Sequence, residues 1–163
     1  MAEVRSVKID GEKLYIFNGV IYIYESTEGF SLQLDIIVSE VVVKRYKDLD
    51  NLIVEIELDD GRVIDAIMHV NSLQGGLPQL NLYVELEDSH EYGDLDVVNE
   101  NEAWSSNLEE GITLEEIRKV EMPEEVVKLK LKLPIDQAEW LVKQKKPVLN
   151  ELFKEFINEY WKK

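Results

Sequence analysis

The sequence predicts an α+β protein: a mostly antiparallel, curled β-sheet (barrel or sandwich), with one short helix near 113–120 and C-terminal helices over 136–161 packed on it. Three observations predict it. Apolar residues recur at every second position in run after run through the first 133 residues, which is the period of a half-buried strand. Glycine-bearing turn signals separate these runs, as in hairpins. The spacing changes to a helical one only near 113–120 and over 134–163.

The first hairpin is expected from Leu14 to Phe17 and Val20 to Tyr24, flanking Asn18-Gly19, a strong two-residue turn signal. That register puts Leu14, Ile16, Ile21 and Ile23 on one face. Tyr15, Phe17, Val20, Tyr22 and Tyr24 fall on the other. Both faces are apolar, so both should be covered. A strand is expected over Leu32 to Val38, continuing in extended form through Val41 to Val43, with Ser39-Glu40 as a bulge or bend.

The second hairpin allows a finer reading. Leu52, Val54, Ile56 and Leu58 alternate with Glu55 and Glu57; Ile64, Ala66, Met68 and Val70 alternate with Asp65 and His69. A two-residue Asp60-Gly61 loop would oppose Ile56 to Asp65 and mix the faces. A three-residue loop, Asp59-Asp60-Gly61, opposes Ile56 to Ile64, Val54 to Ala66 and Leu52 to Met68. The turn should therefore be type I with Gly61 left-handed in a G1 bulge. This register also sets Glu55 against Asp65, an unfavourable like-charge pair.

A lysine-faced strand is the expected remedy. Val127, Leu129, Leu131 and Leu133 alternate with Lys128, Lys130 and Lys132. Strand 126–133 is expected in the same sheet, its lysines near Glu55, Glu57 or Glu85. Leu80 to Leu86 is another half-buried strand. Glu87 to Asn107 loses all periodicity and reads as a long excursion, functional or mobile at that length. Thr113-Leu114-Glu115-Glu116 is a capping box with Ile112 and Ile117 as its staple. Asp136 is the expected N-cap of a further helix, stapled by Ile135 and Trp140, and Pro147 should kink it or start a second. A single domain over 1–163 is expected: β-rich over 1–133, including the acidic excursion 87–112, and helical over 134–163.

Composition bounds the function. The 163 residues are 45% hydrophobic, enough for a core, and contain no cysteine. That excludes a disulfide framework, a thiolate metal site and a cysteine nucleophile. Met1-Ala2-Glu3-Val4-Arg5 has no basic stretch followed by an apolar run, so no signal peptide is expected. No run approaches the roughly 20 apolar residues of a membrane span. The expectation is a soluble, cytoplasmic protein.

Charge is the one functional signal. Residues 51–123 hold 18 Asp and Glu against 3 Lys and Arg, within a net −16 for the chain. Such a surface repels nucleic acid and anionic membranes and attracts a basic protein. The candidate partner-binding residues are Glu87, Asp88, Glu91, Asp94, Asp96, Glu100, Glu102, Trp104, Glu109 and Glu110. No catalytic, cofactor or metal residues are assigned. His90 sits among oxygen ligands, but the Asp94/Asp96 pair lacks the glycine and closing glutamate of a calcium loop. His69 reads as a surface or packing residue. Glu55 and Asp65 read as strand-face carboxylates rather than an acid–base pair. Ser72 lacks a nucleophile elbow, and Gly75-Gly76 matches no phosphate-binding loop.

Three function classes follow. The first is a non-catalytic acidic binding or adaptor protein engaging a basic protein partner. The second is an inhibitor or nucleic-acid mimic of the phage or immunity type, which the chain resembles in charge and size only. The third is a carboxylate- or metal-dependent enzyme.

Overall fold

The computed structural model describes residues 2–71, 76–88, 90–100 and 107–162. The chain forms two compact units, Met1–Glu124 and Glu125–Lys163.

The first unit is built on eight strands: β1 (Ala2–Ile9), β2 (Glu12–Leu14), β3 (Asn18–Ser26), β4 (Gly29–Ile37), β5 (Leu52–Leu58), β6 (Val63–Asn71), β7 (Gln79–Leu86) and β8 (Val97–Asn99). Helix α1 (Glu40–Tyr46) follows β4, and α2 (Leu114–Val120) follows β8. The sheet order is β2-β1-β5-β6-β7-β4-β3-β8. Ala2 and Glu3 of β1 also pair with Ile21 and Val20 of β3. That contact closes β1, β5, β6, β7, β4 and β3 into a six-stranded antiparallel barrel, the curled sheet expected from the alternating runs.

The β5–β6 hairpin has the register read from the sequence. Ile56 opposes Ile64, Val54 opposes Ala66, Leu52 opposes Met68, and Glu55 opposes Asp65. Gly61 has φ +91°, and its N–H donates to the Leu58 carbonyl at 2.9 Å, as the type I turn with a G1 bulge requires. The neutralising charge comes from a different strand than expected. Lys8 of β1 stands opposite Glu55, and Arg5 lies 3.3 Å from Glu57.

The lysine-faced segment is no strand. Residues 121–134 have no regular secondary structure, and the barrel closes without them. Alternation supplies a strand's faces but not its hydrogen bonds, and every long barrel strand already has two partners.

The first hairpin also departs from expectation. Asn18-Gly19 is no turn; it opens β3, which pairs with β4 from Asn18–Ile37 to Ser26–Gly29. The local turn is Asp10-Gly11, with φ of 51° and 84°, joining β1 to β2 in the left-handed geometry of a two-residue hairpin. Gly19 serves close approach instead. A Cβ there would lie 2.9 Å from Ile36 Cγ2 and 3.2 Å from Val4 Cβ. The sorting of faces nevertheless stands. Leu14, Ile21 and Ile23 join the main core, while Val20 and Tyr22 join a second cluster with Ile37, Val98, Leu108 and Ile117. Strand β3 is covered on both sides.

Val41 to Val43 are helical, not extended. Ser39 is the N-cap of α1, its hydroxyl accepting from the Val42 N–H, and burial of Val42 and Tyr46 in the main core outweighs the weak β preference of the valines. Helix α2 begins as read: the Thr113 side chain accepts from the Glu116 N–H. Its staple residues Ile112 and Ile117 pack in the second cluster.

The second unit holds α3 (Ile135–Val142) and α4 (Lys146–Tyr160). The cap of α3 is Pro134, not Asp136, because proline is already held near the flanking extended geometry. Pro147 lies in the first turn of α4 and starts a second helix. Neither helix has a buried residue, so the packed faces expected of 136–161 are not a source of buried core. No helix among the described residues is long and apolar enough to cross a membrane.

Candidate acidic interface

The barrel gathers acidic residues that lie far apart in sequence. Strand registers show how. Ser26 pairs with Gly29, and Phe30 with Leu86, so the β3–β4 turn and the chain leaving β7 share one end. Strand β6 is antiparallel to β7, with His69 opposite Tyr83, which brings the β5–β6 loop to that end too. The Asp59 N–H donates to the Glu3 carbonyl at 3.2 Å, adding the start of β1. Glu3, Glu28, Asp59 and Asp60 are exposed there. None of these was among the residues picked from the sequence, because strand order is not written locally.

The excursion then closes this end. Leu95 is buried in the main core with Tyr92 packed against it, and the Leu95 N–H donates to the Tyr92 carbonyl at 3.0 Å. With Leu95 anchored, Glu91, Asp94 and Asp96 stand exposed around it, as do Glu87 and Asp88 just before. The stretch expected to be wholly irregular contains β8, which pairs in parallel with β3, Ile23 opposite Val97. The Glu100 N–H donates to the Glu25 carbonyl at 3.1 Å, placing Glu100 on the same rim. Two cations lie within this group: Arg62, bonded to Asp60 and Asp94, and Arg5, which donates to the Asp59 carbonyl at 2.6 Å. Helix α1 lies at the opposite end, with Glu40 in its first turn and Lys44 and Arg45 in its last.

The picked residues thus separate. Glu87, Asp88, Glu91, Asp94, Asp96 and Glu100 share one rim. Asp94 is tied to Arg62, and Asp88 accepts from the His90 N–H at 2.8 Å. Glu109 has an internal bond pattern: its Oε1 accepts from the Leu77 N–H at 2.9 Å and from Gln79 Nε2 at 3.1 Å. Glu110 is exposed in the turn before α2. Glu102 and Trp104 lie outside the described residues, as do Ser72 and Gly75.

Beside the second cluster runs a polar chain that the sequence reading missed. Asp35 is 4% exposed. Its carboxylate accepts from the Tyr22 hydroxyl at 2.9 Å and from Asn81 Nδ2 at 2.8 Å. Asn81 Nδ2 also donates to Gln79 Oε1 at 3.1 Å, and Gln79 continues to Glu109. This chain joins the wall of the barrel to the segment that covers it. Burial pushes the Asp35 carboxyl above the ordinary carboxylate range, against the lowering effect of the bonds from Asn81 and Tyr22. Burial, and then the neighbouring carboxylate, push the Tyr22 hydroxyl well above its ordinary value. The signal was available: Asp35 sits in the middle of an apolar strand, and a carboxylate there must find donors.

The histidines serve local contacts. His69 Nδ1 is 3.1 Å from Asp50 Oδ1, and its ring lies 5.5 Å from that of Tyr83. Among the described residues, no three acidic or histidine side chains converge as metal ligands. No family model, curated protein or solved structure matches this chain.

Proposed function

We propose that this is a non-catalytic acidic binding protein of the cytoplasm that engages a basic protein partner through the loop end of its barrel. One observation supports the reading: carboxylates from five separate segments lie at one end, with Arg5 and Arg62 as the cations among them. Like charges gathered at one end of the barrel raise the potential there. Cross-strand pairing and the buried Leu95 hold the rim in place, so little ordering is required on binding. The same field disfavours direct contact with nucleic acid.

The test is capture at low and high salt with identification by mass spectrometry. Wild-type protein should retain a basic protein at low salt and lose it at high salt. The triple variant Glu87→Lys, Glu91→Lys, Glu100→Lys should not retain it. Equal capture by the variant would remove the rim from the reading.

A further inference from the structure

The barrel wall is paired unevenly. Strand β6 pairs with β5 from Val63 to Met68. It pairs with β7 only over His69–Tyr83, Val70–Leu82 and Asn71–Asn81. Beyond His69 the two strands part. Among the described residues, Val63 to Met68 are then paired on the β5 side alone, and Val84 to Leu86 on the β4 side alone. Charge gives a reason for the parting: a continued ladder would set Asp65 against Glu87, an unfavourable like-charge pair. Burial marks the same seam. Ala66, Val84 and Leu86 pack against the main core yet are only half-buried, whereas Ile56 and Leu32 on the flanking strands are 0% exposed. On the outer face Asp65 and Glu85 stand exposed on its two sides. An unpaired strand edge is a template for a further strand.

The strand that fits carries apolar residues toward Ala66, Val84 and Leu86, and basic residues toward Asp65 and Glu85. Residues 126–133 of this chain have that pattern: Val127, Leu129 and Leu131 alternate with Lys128, Lys130 and Lys132. They have no strand partner, and their apolar face is open, Val127 being 75% exposed and Leu129 65%. Two copies of this segment paired together would set lysine against lysine, so the fitting edge is acidic. Net charge favours the same match. Residues 125–163 hold 9 Lys and Arg against 6 Asp and Glu, whereas residues 1–124 hold 9 against 28.

We propose that residues 126–133 of one copy of this chain add as a strand to the β6–β7 seam of a second copy. The exchange is reciprocal, so two copies close into a two-fold pair. Each segment turns its apolar side chains inward and its lysines over Asp65 and Glu85. The seam lies in the barrel wall, and the proposal does not rest on the acidic rim.

The chain contains no cysteine, which allows a direct test by mixing full-length variants. Ile67→Cys is mixed in turn with Lys128→Cys, Lys130→Cys and Lys132→Cys. Each chain then has one thiol, so a disulfide joining the two positions forms only between copies. Mild oxidation should give such a dimer in at least one mixture, identified by its bridged peptides. Sedimentation of wild type should show a dimer that grows with concentration and weakens at high salt. Asp65→Lys with Glu85→Lys should weaken it by at least about tenfold, and so should Lys128→Glu, Lys130→Glu, Lys132→Glu. Mixing the two charge variants should restore a heterodimer, because both of its contacts again join opposite charges; recovery also shows that both are folded. A wild-type chain that stays monomeric overturns the proposal. So does a dimer indifferent to reversal of Asp65 and Glu85, or the absence of any disulfide joining the seam to 126–133.

Discussion

The two units carry similar apolar patterns and reach opposite ends. In the barrel, alternating residues such as Ile56 are 0% exposed; in the C-terminal unit, Leu129 lies in the cleanest alternation of the chain and is 65% exposed. The difference lies in the partner strand. A strand's apolar face becomes core when paired neighbours satisfy its backbone and present faces of their own. Strand β5 has β1 and β6. Residues 126–133 have none.

The largest expected effects test this contrast directly. Ile56→Ala should cost about 2–5 kcal/mol in urea unfolding, from lost transfer energy and the cavity left behind. Leu129→Ala, measured in dilute protein at high salt, should change stability by no more than about 0.5 kcal/mol. A large loss at Leu129 that persists on dilution would break the comparison.

A second contrast lies inside the barrel unit, between the apolar main core and the polar chain at Asp35. An ordinary aspartate ionises near 3.8, and native Asp35 keeps its proton to higher pH. The native state therefore binds more protons than the unfolded state in that window. Ionised Asp35 is a stability cost, present in full above the native value and relieved as the pH falls toward 3.8. Other carboxylates act in the opposite direction. Glu40, for example, is held below its ordinary value chiefly by its bond from Arg118. The informative quantity is thus the difference between wild type and Asp35→Asn. It should shift in favour of wild type as the pH is lowered through the window. A difference independent of pH would show that Asp35 titrates normally.

Pairing of adjacent runs across one short loop was legible in the sequence, whereas contacts between distant strands were not. The β5–β6 register followed from face matching across a short loop, because two adjacent runs constrain each other. The acidic rim did not, because strand order alone brings the segments bearing Glu3, Glu28 and Asp59 to one end. Asn18-Gly19 looked like a turn on local grounds, but Gly19 is needed where β3 passes close to both Ile36 and Val4. Asp35 could have been singled out by its place in an apolar strand. Glu109 could not have been separated from its exposed neighbours without knowing that Leu77 and Gln79 lie beside it.

The smallest effect sharpens why the β5–β6 register is secure. Gly61 has φ +91°, with no atom within 4 Å of where a Cβ would stand. Any cost of substitution there is backbone strain rather than a clash. Gly61→Asn should lose only a few tenths of a kcal/mol, because asparagine tolerates the left-handed region, whereas Gly61→Val should lose about 1–2 kcal/mol. Both variants should keep Ile56 against Ile64, visible as unchanged cross-strand NMR contacts, because a one-residue slip would turn Leu52, Val54 and Ile56 outward together. Retained register with graded stability would show that burial chooses the pairing and the glycine only eases the turn. A slipped register in Gly61→Val would show that the turn chooses it. The alternating segment 126–133, which has no such turn joining it to a strand, would then lack the main determinant of pairing.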